Sequence, residues 1–91
     1  MDSGTDDVWT VARVREVTVR LSGALAASNH VVATQLAAAA GEVRSEQEAL
    51  LVMRSALIAT RPTWEALDNQ SLVSEVKGAL AAGKRLALDL D

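Results

Sequence analysis

The chain has 91 residues, no Cys, one His and a formal net charge of −3. That length makes one domain. The missing thiols rule out a disulfide framework, a thiolate metal site and a Cys nucleophile, and the mixed charge lacks the basic excess of a nucleic-acid surface. Phe and Tyr are absent and Trp9 and Trp64 are the only large aromatics, so Leu, Val and Ala must supply the core. Alanine buries little surface, so such a core is marginal alone and favours oligomerisation.

Residues 1–5 are expected to fray. The acidic start, MDSGTDD, lacks the basic stretch and apolar run of a signal peptide. The expected location is therefore the cytoplasm, with export that needs no cleavable signal left open. Thr5 suits an N-cap, and Asp6 and Asp7 suit the positive end of a helix dipole. Helix 1 is expected over about 6–40. Val11, Val14, Leu21, Leu25, Val32 and Leu36 share one stripe at about 100° per residue. Residues 17–21 also alternate like a strand, and 86–91 would be the matching partner. A two-stranded ribbon alone is weak, and Glu16 and Arg20 form an i,i+4 pair, so helix is preferred.

Residues 21–41 contain no Lys, Arg, Asp or Glu, although 23% of the chain is charged. Opposite the large stripe lie Gly23, Ala26, Ala27, His30, Thr34 and Ala37, where an ordinary surface helix carries Lys and Glu. Small side chains let another backbone come close. The expectation is that this face is covered by a second copy or a partner; the alternative is an exposed Ala-rich face, which high helix propensity permits. The run is long enough to span a bilayer, but Asn29 and His30 would sit near mid-span, where polar groups are costly. No membrane span is expected.

Gly41 suits the left-handed position that ends a helix. Ser45 and Glu48 form a capping box, and helix 2 is expected over 46–60, presenting Leu50, Met53, Leu57 and Ile58, with Leu51 and Val52 widening the face. The short 41–45 link makes helices 1 and 2 an antiparallel hairpin; the alternative is one bent helix through Gly41. Pro62 stops helix 2, because Arg61 before it is driven out of the α region, and a short helix follows over 63–67. Helix 3 is expected over 71–82, presenting Leu72, Val73, Val76 and Leu80, with Gly83 ending it and 84–91 as a tail. The fold class is all-α: a small helical bundle built on a long N-terminal helix and an antiparallel helical hairpin, completed by oligomerisation.

Chemistry is sparse. His30 has no carboxylate or Cys within two turns on its face; between packed subunits it would make association sensitive to pH near ~6. Glu46 and Glu48 belong to a cap, and Asp6 and Asp7 to a helix start. The arginines, among them Arg13, Arg15, Arg20, Arg44, Arg54 and Arg61, read as a solvated rim. Trp9 and Trp64, each near a helix start, suit a bundle plug more than an interface anchor, although both are interface candidates. No phosphate-loop, nucleophile-elbow, zincin or EF-hand pattern occurs, so no enzyme activity, cofactor or metal is expected.

In outline the chain resembles the small secreted helical-hairpin proteins with a Trp-x-Gly turn. It has Gly41-Glu42-Val43 at the turn and Trp64-Glu65-Ala66-Leu67-Asp68 in place of a tyrosine export motif, so no residue role is carried over. The sequence therefore points to a non-catalytic protein–protein interaction or self-assembly module working through the small face of helix 1. Its alternatives are an obligate partner, such as an antitoxin or a secretion partner, and a small ligand-binding bundle.

Overall fold

The structure is a computed structural model, which describes residues 9–42 and 45–90. Five α-helices fill them, with no strand among the described residues: α1 (Val11–Leu25), α2 (His30–Ala40), α3 (Glu46–Ala59), α4 (Arg61–Glu65) and α5 (Gln70–Leu90). The strand alternative is overturned for the described residues: 17–21 lies within α1 and 86–90 within α5, while Asp91 falls outside the described residues.

The expected single helix over 6–40 is broken. Ser28 and Asn29 N–H groups both donate to the Leu25 carbonyl, at 3.1 and 2.8 Å, and the Asn29 side chain then accepts from the Val32 N–H at 3.1 Å. Asn29 is thus the N-cap of a new helix. A straight helix of that span would be about 50 Å long at ~1.5 Å per residue, whereas the domain's longest dimension is 35 Å. The break folds α2 back along α1: Ser22 Oγ donates to the Ala33 carbonyl at 2.7 Å, and Arg15 Nε to the Ala40 carbonyl at 2.9 Å. Arg15 Nη2 also donates to the Glu42 carbonyl at 2.9 Å. Arg15 therefore satisfies carbonyls that the end of α2 leaves unpaired and places positive charge at the negative end of its dipole. It is a structural clamp rather than part of a solvated rim.

Other ends follow local chemistry. Thr10 accepts from the Arg13 N–H at 3.1 Å and caps α1, so the described helix starts after Thr10; the Thr5 cap falls outside the described residues. Ser45 Oγ accepts from the Glu48 N–H at 3.1 Å, as expected of the capping box. Gly41 does end α2, but in right-handed conformation (φ −83°), with its N–H given to the Ala37 and Ala38 carbonyls. The break before Pro62 falls at Thr60, and Arg61 is already helical in α4. Asn69 caps α5 by accepting from the Leu72 N–H at 3.1 Å.

Gly83 does not end the last helix; α5 continues through it to Leu90. Its missing side chain serves packing. A Cβ there would lie 2.9 Å from Cδ and 3.1 Å from Cγ of Arg54, so Arg54 crosses α5 at this point, its Nε 3.4 Å from the Leu80 carbonyl. Gly78 likewise makes room for the Trp9 ring, at 3.1 Å. Gly23 differs, having nothing within 4 Å. It lies exposed within α1, so Gly23→Ala should stabilise the domain by about 0.5–1 kcal/mol. Thermal unfolding should then shift up by ~2–8 °C.

The core joins all five helices. Val14, Val17, Leu21 and Leu25 of α1 meet Leu36 of α2, Leu50, Met53 and Leu57 of α3, Trp64 of α4 and Val76 of α5. Thr18 and Thr60 are buried but return their hydroxyls to the Val14 and Ala56 carbonyls, each at 2.8 Å. Arg20 Nη2 pairs with Glu75 at 2.8 Å and ties α1 to α5, a longer-range partner than Glu16. The radius of gyration is 12.7 Å, close to the ~12 Å of a compact chain of this size. The outline, 35 × 34 × 17 Å, is a slab about two helices thick.

Candidate docking groove

The break in helix 1 divides the expected interface. Gly23 lies in the last turns of α1, and Ala26 and Ala27 in the link after it; all three are exposed. His30, Thr34 and Ala37 form an exposed stripe on α2, with His30 Nε2 3.5 Å from Thr34 Oγ1. Trp9 is half-buried at the opposite end of α1, against Gly78 of α5, with the Arg13 guanidinium 4.1 Å above its ring. Trp64 is fully buried and donates its indole N–H to the Leu57 carbonyl at 2.8 Å. As an interface candidate it is corrected: it is a plug in the core, since a large ring with one polar edge is best satisfied inside.

The small side chains do assemble a surface feature, between α2 and α3. A shallow groove of about 430 Å³ runs there, with Gln35, Ala38 and Ala39 on one wall and Val52, Ser55, Ala56 and Ala59 on the other. The floor is methyl groups, because α2 and α3 meet through alanines; Ala39 and Ala56 are buried. None of its lining residues is charged. Beside it the exposed side of α2 carries Val31, which is 74% exposed, and α3 carries Ile58, which is 51% exposed.

Only the Gln35 amide and the Ser55 hydroxyl could hydrogen-bond an occupant here. The groove contains no acid, base or nucleophile with a positioned partner. Among the described residues no group of three or more His, Cys, Asp or Glu side chains could hold a metal ion, and no helix is long and apolar enough to cross a membrane. The groove can bury apolar surface and admit a helix closely, since interaxial distances fall to about 8 Å where the contact residues are small.

Charged pairs lie away from it. The hydrogen bond from Arg61 Nε to Glu65 Oε2, 2.8 Å long, holds the Glu65 carboxyl below its ordinary pKa. The pair is solvated, so it contributes little. That contribution is present above the ordinary carboxylate pKa and is lost as pH falls through the lowered one.

The fold and groove define a small all-α bundle with an uncharged, alanine-lined surface channel. Comparison with protein-family models, curated proteins and solved structures gives no match.

Proposed function

We propose that this protein is a non-catalytic helical interaction module that self-associates by seating a helix of a second copy in the α2–α3 groove and across the outer side of α2. The carrying observation is that residues 26–41, which form α2 and its flanks, contain no Lys, Arg, Asp or Glu and leave Val31 exposed beside a groove floored by alanine. Contiguous apolar surface of this kind marks interaction sites. Close packing of small residues supplies dispersion contacts with little side-chain entropy to lose.

Ala38 and Ala59, both exposed, flank the channel and suit a test. Light scattering over a dilution series is expected to show a dimer or larger species that dissociates on dilution. Ala38→Glu combined with Ala59→Glu should weaken association at least tenfold, about 1.4 kcal/mol or more, with helicity by circular dichroism unchanged. Ala81→Glu, on the exposed side of α5, should do nothing. Unchanged association in the double variant would overturn this placement. A monodisperse helical monomer would pass the groove to a partner protein.

A further inference from the structure

A second groove lies about a third of a turn around α3 from the first, between α3 and the end of α5. It has a volume of about 280 Å³ and is lined by Gln47, Leu51, Arg54, Lys84, Ala87 and Leu88. Its character is different. Leu51 is 45% and Leu88 68% exposed, so two large aliphatic side chains face solvent across it. Two cations flank them, in a chain whose net charge is negative. Among the described residues Arg54 and Lys84 have no carboxylate within ion-pair distance; the ion pairs there are Arg20–Glu75, Arg61–Glu65 and Lys77–Glu65. Arg54 Nε is aimed at the Leu80 carbonyl, and Arg85, beside Lys84, is exposed. Glu48, one turn before Leu51, lies 3.5 Å from the Ser45 hydroxyl.

We propose that the α3–α5 groove docks an acidic amphipathic helix of a partner protein, its aliphatic face on Leu51 and Leu88 and its carboxylates on Arg54 and Lys84. A helix in a groove of two other helices presents apolar side chains at i, i+3 and i+4, with polar positions at the rims. Among the described residues neither rim cation is paired with a carboxylate, and Arg54 has only its 3.4 Å contact with the Leu80 carbonyl, so a partner's carboxylate gains an ion pair without displacing one. The leucines supply affinity, and the cations select the sign of the partner's charge and steer its approach. This surface is separate from the α2–α3 groove and its use does not depend on self-association there.

The test uses the full chain and two fluorescein-labelled synthetic helices with identical leucine faces, one flanked by Glu and one by Lys, followed by anisotropy at low ionic strength. The Glu helix is expected to bind at least tenfold more tightly than the Lys helix. Lys84→Glu should abolish that preference, Leu88→Ser should weaken both helices, and Lys77→Glu, elsewhere on α5, should change neither. Binding should weaken as salt rises, and Ala38→Glu with Ala59→Glu should leave it intact. Equal affinity for the two helices, no binding, or no effect of Lys84→Glu would overturn the proposal. The chain's own residues 88–91 read Leu-Asp-Leu-Asp. A dimer of the chain alone that Lys84→Glu disperses would therefore make the occupant a second copy, and would also overturn it.

Discussion

Replacing Trp64 with alanine is expected to remove about 3–5 kcal/mol of stability. The side chain is fully buried and lies in the one cluster that links the five helices. Its loss leaves a cavity the size of an indole and strands the α4 turn, which has no other buried side chain. With no Phe or Tyr in the chain, no neighbouring ring can move in to fill it. A domain of this size has about 5 kcal/mol in total, so the variant should be largely unfolded at ambient temperature. Trp64→Phe separates volume from polarity. It keeps most of the ring and loses the 2.8 Å hydrogen bond to the Leu57 carbonyl, and should cost about 1–2 kcal/mol. Urea unfolding followed by circular dichroism measures both. A loss below ~1 kcal/mol for the alanine variant would show that the ring is not a core plug.

Leu36→Ala should cost about 2–5 kcal/mol and act unevenly across the fold. The buried residues of α2 are Ala33, Leu36, Ala39 and Ala40, so Leu36 is its one large anchor. Without it α2 would be held by alanines, the partly buried Val32 and the Arg15 clamp on its last carbonyls. Alanine contacts bury too little to hold a helix of three turns. Hydrogen exchange should show α2 amides losing protection first, while α3 and α5 open only with global unfolding. Equal loss of protection in all helices would mean that α2 is not a separately opening unit. Because α2 forms one wall of the proposed docking groove, the same substitution should also weaken self-association.

Several features of the fold were determined by short stretches of sequence. The Ser45 cap, the interruption near Pro62 and the helical start near Ser71 depend on groups within four residues of one another, so local chemistry suffices. The stripe of Val11, Val14, Leu21, Leu25, Val32 and Leu36 was also sound: all are buried except Val32, which packs partly against the core. It survived the break in helix 1 because α1 and α2 each keep their own inward side after the chain reverses. The break itself had a signal in Ser28-Asn29, but an apolar pattern running through it outweighed one capping residue.

What only the tertiary structure decided involves distant partners. Gly83 carries the sequence mark of a helix stop, yet Arg54, twenty-nine residues earlier, crosses the helix there, and the glycine is kept inside α5 by that contact. In sequence Arg15 is one charge of a solvated rim; the fold-back of α2 along α1 brings the Ala40 and Glu42 carbonyls to it. The small-residue surface was expected along one helix of about 6–40; the fold instead builds its channel from α2 and the alanines of α3. Periodicity gives each helix an inner and an outer side, because side-chain directions repeat along a single axis. Which outer sides become neighbours depends on how those axes are placed, and that is fixed by packing between segments far apart in the chain.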